Sequence, residues 1–402
     1  MQLGWIDFSK EDREKVLDVI NLLQEEGAVD ELGIGVIRDA FANYFFPGTS
    51  TVQTRAKYLL IVPYILKEAV DGLYGNSYSQ ILKRIDEEEK NCGIMFLKNC
   101  PNEDGIIGKR VLPKGWVARK PSNIYWNGIR SLGIFTDNSL SISDYISLFC
   151  FVRQQKKVQV SLGNRNDSVE DNEADDVDAV GGQAIPYFVL PDTYKTDWRN
   201  NLSIWLNADE AAFLKKQILK MLPDTLYAYL LRENINVNRY ESFEQLYLEI
   251  KDVVPVELSE MMHLACEFNK LVFLARTRYN LMLSDFKNAE AIEAWNYYGK
   301  RMTDMASVDL DAVYEKLDIR NYRVKKFLKL LQTAFLKNNI EEADRLIKNN
   351  EQELKGANRA KLNHVGDYDP QSWIGGKWLD FRFFDACKII RDIYQGEGKS
   401  LV

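Results

Sequence analysis

Leu258, Met261, Ala265, Phe268, Val272, Ala275, Tyr279 and Met282 follow one another at alternating steps of three and four residues. Seven such steps in succession fit one face of an α-helix, whereas a strand would need a period of two. The run predicts a central, buried helix around which the rest must pack. Glycine and proline together make up 33 of 402 residues, about 8% where ~12% is usual, so turns and strand breaks are scarce and long helices are expected. With 46% hydrophobic and 28% charged residues, the chain has the balance of a globular protein rather than a disordered or fibrous one.

Other elements follow from caps and periodicity. Ser9 and Asp12 resemble a capping box, and Val16, Val19, Ile20 and Leu23 then continue at helical spacing to Gly27. A second helix is expected from about Asp30 to Phe45, closed by Pro47-Gly48, and a third from Ser50 or Thr51, kinked at Pro63. Residues 78–90 read as amphipathic helix, and the Gly- and Pro-richer stretch to about 121 leaves room for a few strands. PSNIYWNGIRSLGIF (121–135) reads as a short helix, a Gly133 stop and a strand-like tail, the order found at the end of a winged-helix module. Asn207 with Glu210 forms a further capping box, and helices are expected over 320–337, 341–355 and 385–395.

The clearest break is 163–182, GNRNDSVEDNEADDVDAVGG, with seven acidic residues against Arg165. Most of the formal net charge of −7 resides there, so the charge describes a loop rather than the whole surface. The expected fold is mainly α and multi-helical, with an amino-terminal lobe over 1–162 containing a small α+β, winged-helix-like region around 100–160. The acidic loop 163–182 then leads to a carboxy-terminal helical lobe over 183–402. Five scattered cysteines without a C-x-x-C pair speak against a disulfide framework or zinc ribbon. The amino terminus lacks the pattern of a signal peptide, and YLLIVPYIL (58–66) is far short of the ~20 residues that span a bilayer. A cytoplasmic protein with no membrane partner is expected.

Three stretches together, FFPGTSTVQTRAKYLLIVPYIL (45–66), PSNIYWNGIRSLGIF (121–135), and Asn280-Leu281-Met282-Leu283 with WIGGKWLDFRFFDACKIIRDI (373–393), resemble a bacterial family of unknown function. The resemblance extends over nearly the whole chain. It implies a prokaryotic protein encoded near helicase, nuclease or methyltransferase genes of anti-phage defence clusters, and brings no activity or catalytic residue with it.

Candidate chemistry is sparse. His263 and His364 are the two histidines, too few and too far apart for an imidazole metal site. His263 falls opposite the apolar seam of its helix, and His364, near Asp367 and Asp369, sits in a loop whose acids are expected to cap turns. Gly376-Lys377 and Gly398-Lys399-Ser400 lack the spacing and the following helix of a phosphate-binding loop, so no cofactor is expected. Arg55 is expected in a structural salt bridge. Pro223-Asp224 followed by Glu249-Ile250-Lys251 matches a metal-dependent nuclease pattern, in which Asp224 and Glu249 would share a divalent ion and Lys251 would orient the water. That chemistry places Glu249 and Lys251 on one face of a strand, whereas Ser242, Gln245 and the apolar spacing around them predict a helix.

Two basic stretches remain. Lys109, Arg110, Lys114, Arg119, Lys120 and Arg130 are interleaved with Trp116, Tyr125, Trp126 and Phe135, the composition of a nucleic-acid face. Arg320, Arg323, Lys325, Lys326, Lys329 and Lys337 lie opposite an apolar stripe. The leading expectation is a non-catalytic nucleic-acid-binding or adaptor subunit that works beside helicase or nuclease partners. The alternatives are the nuclease and a purely structural interaction scaffold.

Overall fold

A computed structural model describes residues 30–71, 77–163, 187–195 and 197–399, so the helix expected at 9–27 and the acidic segment after Gly163 lie outside the described residues. The described chain is mainly α. Among the described residues there is no strand, and the β-pairing present is one isolated antiparallel bridge, Phe135 to Phe188.

That bridge replaces the expected wing. Helix Pro121–Ser131 ends as anticipated at Gly133, which has φ 61°, and the amides of Ile134 and Phe135 both turn back to the Ile129 carbonyl. Thr136 then donates to the Tyr187 carbonyl and Val189 to that of Ile134. Asp137 turns the chain at once by accepting from the Ser139 amide, and helix Ile142–Gly163 begins, leaving no length for a hairpin. The strands allowed for before residue 121 are absent too. Helix Tyr78–Asn99 runs well past residue 90, and Gly93 within it is a packing site where a Cβ would come within 2.8 Å of the Leu112 side chain.

The chain divides into two compact units, one holding 30–41 and 247–381, the other 42–246 and 382–399. The units are drawn differently from the lobes expected on either side of 163–182, because residues before and after that segment pack in the same unit. Charge pairing accounts for this. Helices Tyr58–Val70 and Tyr78–Asn99 bury Glu68 and Glu88, and Arg199 answers both, at 2.7 and 3.0 Å. Trp198 donates its indole N–H to Glu68 at 2.6 Å, and Lys57 binds Glu210 at 2.6 Å with both side chains buried. Glu210 also completes the expected capping box with Asn207.

Helix Tyr58–Val70 is buried along nearly its whole length, with Pro63 inside it, and it starts later than Ser50 or Thr51 because residues 54–56 are bonded elsewhere. The Thr54 and Arg55 amides donate to the Tyr125 hydroxyl, and the Ala56 amide to Asp392 at 2.7 Å. Arg55 is the structural ion pair anticipated, with Nε 3.0 and 3.1 Å from the two Asp392 oxygens. Glu89 accepts from the Ser122 amide at 2.6 Å at the start of helix Pro121–Ser131 while its other oxygen has no hydrogen-bond partner among the described residues. Burial drives its carboxyl from 4.5 up to about 7, the Ser122 bonds and Lys120 notwithstanding.

The other unit forms around Val256–Leu283, the helix of the seven steps, buried on every side from Leu271 to Asn280. Asn269 and Asn280, three turns apart and so on one face, each bond both the amide and the carbonyl of one residue. Asn269 holds Leu379 at 2.7 and 3.0 Å, and Asn280 holds Ile374 at 2.7 and 3.1 Å. Segment 374–379 is thereby fixed antiparallel to the helix, a role of Asn280 and of the WIGGKWL stretch that their local sequence does not announce.

Replacing Asn280 with Ala removes both bonds to Ile374 and should cost about 1–3 kcal/mol. Amide exchange at Ile374 should quicken about tenfold or more, while Leu379 keeps its protection; equal loss at both positions would contradict separate clamps. Glu89 gives a pH signature. Its folded carboxyl titrates above the unfolded one, so its stabilising effect is full below about pH 4.5 and is lost as pH rises through about 7. Wild type should therefore lose stability relative to Glu89→Gln between pH 5 and pH 8, by on the order of 3 kcal/mol in urea unfolding. A constant difference between the two proteins would rule the effect out.

Candidate nucleic-acid interface

The second basic stretch forms the helix expected of it. Asn321 caps Tyr322–Leu336, and Val324, Phe327, Leu328, Leu331, Ala334 and Phe335 turn inward as one stripe, which leaves Lys325, Lys326 and Lys329 off the buried face. Helix Leu310–Lys316 brings Tyr314 alongside, with the Lys325 and Lys329 ammoniums 5.2 and 6.0 Å from its ring centre. Burial pushes the Tyr314 phenol well above its usual range, so it stays neutral. Tyr322, at the first helical position, is 75% exposed. These residues line a groove of about 1000 Å³ together with Arg320 and the acids Asp311, Glu315 and Asp318.

Its charges are partly spent. Arg320 grips Asp318 through Nε and Nη2, holding that carboxyl below its ordinary range. Lys329 pairs with Asp311 at 2.5 Å, and Arg323 with Glu353 at 3.2 Å. Lys325, half-buried beside Tyr314, and the exposed Lys326 have no ion pair among the described residues. Tyr314 and Tyr322 are additions to the residues expected at this face. Tyr314 arrives from a separate helix and has no spacing signal, whereas Tyr322, next to the Asn321 cap, is legible as the outward-pointing start of the helix.

The first basic stretch departs from its expectation. Lys109 is taken up by Asp104 and the Glu103 carbonyl, Lys120 by Asp86, and Arg130 by the Asn138 carbonyl, while Arg110, Lys114 and Arg119 are exposed. The aromatics belong to the interior. Tyr125 and Phe135 are fully buried, and Trp126 packs against Phe135 with centroids 4.7 Å apart. Tyr125 uses its hydroxyl to receive two main-chain amides, so it is a buried anchor rather than a stacking surface. Trp116 is half-buried and lies against Gly93 and Gly108.

The nuclease geometry is contradicted locally. Glu249 lies in helix Phe243–Ile250 and Lys251 in the turn after it, where its carbonyl accepts from Ser259, so the two do not share the face of a strand. Asp224 lies in a turn of the other unit. Among the described residues no group of three or more His, Cys, Asp or Glu side chains is placed to hold a metal ion. His263 is exposed and 3.3 Å from the Tyr247 hydroxyl, and His364 contacts the Asn358 carbonyl. Asp369 caps its own turn at Gln371 and Ser372, as the loop reading expects.

Residues 1–163 match the model of a family of unknown function (DUF6361). The match takes in the 45–66 and 121–135 stretches and the first basic stretch, but not 280–283, 373–393 or the groove, so the expected full-length resemblance is narrowed to those residues. No curated protein and no solved structure matches the chain. No helix among the described residues is long and apolar enough to cross a membrane.

Since Lys326 and Tyr322 touch the core little, Lys326→Ala and Tyr322→Ala should each shift urea unfolding by no more than about 0.5 kcal/mol. A larger loss would mean that the groove is held together by these side chains and is not a free surface.

Proposed function

We propose that this chain is a non-catalytic nucleic-acid-binding or adaptor subunit, and that the groove between Leu310–Lys316 and Tyr322–Leu336 follows a phosphate backbone. The observation that carries this reading is the pair Lys325 and Lys326, cations without ion-pair partners among the described residues, beside the exposed ring of Tyr322. A phosphate reaching them displaces condensed counterions without first breaking a carboxylate contact. Arg320 and Lys329 join only by exchanging Asp318 and Asp311 for phosphate, which makes the site one of moderate, salt-sensitive affinity. Helicase or nuclease partners and a role in defence against foreign DNA belong to the same proposal on the strength of the sequence resemblance, and a cytoplasmic setting on the pattern of the amino terminus and the shortness of the apolar segment 58–66.

The test is a fluorescence-anisotropy titration of the full chain with labelled duplex and single-stranded DNA at two salt concentrations, with and without magnesium. Affinity should fall as salt rises and the DNA should remain intact. Lys325→Glu with Lys326→Glu should weaken binding and flatten the salt dependence by roughly 0.7–0.9 in log–log slope for each phosphate no longer bound. Binding that ignores the double reversal, or none at low salt, would refute the assignment of this groove. Magnesium-dependent cutting would refute the non-catalytic reading.

A further inference from the structure

A second groove in the same unit is built on the segment that Asn269 and Asn280 hold in place. Gly376 lets this segment pass close to the long helix, since a Cβ there would stand 3.2 Å from the Arg276 guanidinium, which itself donates to the Lys377 carbonyl at 3.3 Å. So fixed, Trp378 lies flat on Phe273, with ring centres 3.8 Å apart and planes within 2°. Tyr298 meets Trp378 edge-on at 5.7 Å, and Tyr297 packs on Tyr298 at 4.8 Å. The space bounded by these rings is about 830 Å³.

Two features point outward to a ligand. Tyr297 is 63% and Trp378 38% exposed, so large aromatic surface is left in water on a scaffold that holds it rigid. Lys300 and Arg301, directly after helix Ala289–Tyr298, line the same groove, are exposed, and have no ion pair among the described residues. Lys377 is already paired with Glu290, which leaves Glu293 as the lining acid without an ion pair among the described residues. The free charge of the groove is therefore positive, which disfavours a cationic side chain and favours an anion carrying a flat ring.

We infer that this groove binds single-stranded nucleic acid, with an unstacked base on the Tyr297 and Trp378 rings and flanking phosphates on Lys300 and Arg301. A base presents its π-face only outside a duplex, and stacking tolerates any base, so the site selects single strands with little sequence preference. The site does not depend on the Lys325 and Lys326 groove and can fail or hold separately from it.

The probes are dT12 and rU12, each carrying one 2-aminopurine, and the corresponding duplexes, titrated against the full chain. Single strands should bind with quenching of the 2-aminopurine, as stacking requires. Tyr297→Ala should weaken single-strand binding about five- to hundredfold and leave duplex binding unchanged within about twofold. Lys300→Glu with Arg301→Glu should weaken it and reduce the salt slope by about 0.7 for each phosphate no longer bound. All three positions are exposed, and circular dichroism of each variant establishes that it folds. Lys325→Glu with Lys326→Glu should leave the quenching in place. Single-strand binding untouched by either groove variant, or abolished only on reversal of Lys325 and Lys326, would overturn the inference. Binding of a trimethyl-lysine peptide with none of the oligonucleotides would overturn it as well. Similar response to dT12 and rU12 fits a site that reads base and phosphate; binding of one alone would overturn recognition by those features only.

Discussion

The Arg55 guanidinium is where four separated stretches of one unit meet. Its Nε contacts both oxygens of Asp392, Nη1 reaches the Asp104 carbonyl at 3.2 Å, the plane stacks on Trp205 at 3.9 Å, and Gly105 passes so close that a Cβ would come within 2.8 Å. Asp392 in turn receives the Ala56 amide, just ahead of helix Tyr58–Val70, where the helix dipole favours a negative charge. Taking both ions out of water costs several kcal/mol apiece, and burial pushes the Asp392 carboxyl above its usual range despite the arginine beside it. The pair is therefore better understood as selecting one arrangement of these stretches than as adding net stability. An arrangement that misplaced either partner would strand a charge in the interior.

The same constraint recurs around Arg199. Glu68 and Glu88 sit on two helices that pack together, and both are buried. Arg199 lies between them, and Trp198, with its ring 5.2 Å from Tyr64, adds an N–H to Glu68. Glu88 also has Arg84 on its own helix at 2.8 Å, so it is Glu68 above all that residues beyond 187 close, completing a core begun before residue 100.

Local signals are legible in this sequence and long-range ones are not, for a physical reason. The Asn207 cap, the Gly133 stop and the helices at 256–283, 322–336 and 340–355 depend on neighbours within a few residues, and their spacing carries them. The helix at 78–99 looks shorter than it is because the sequence turns richer in Gly and Pro after residue 90, and Gly93 there serves tertiary packing inside the helix. The aromatics of 105–136 look like a surface because their interleaving with cations is the same whether a ring faces water or core; only Tyr125's two distant amide partners decide it. The mid-helix Asn269 and Asn280 are the clue that periodicity alone passes over. A carboxamide on a buried helix is unfavourable unless something bonds it. Here that something is segment 374–379, and through it the placement of Trp378.

The formal charge of −7 bears little on whether this chain meets nucleic acid. Charges act over about 8 Å at physiological ionic strength, so a sum over the whole chain does not set the potential inside a groove; the charges within that range do. What counts is the number of cations there that no carboxylate already holds. Arg320 and Lys329 would exchange one anion for another on meeting a phosphate and add little, whereas Lys325 with Lys326, and Lys300 with Arg301, are cations outside any ion pair among the described residues, beside an exposed ring. Counting basic residues along the sequence gives equal weight to both basic stretches. Counting unpaired ones does not separate them, since Arg110, Lys114 and Arg119 also lie outside any ion pair among the described residues; the exposed rings of Tyr322 and Tyr297 do, and they draw in a pair of cations, Lys300 and Arg301, that lies in neither stretch.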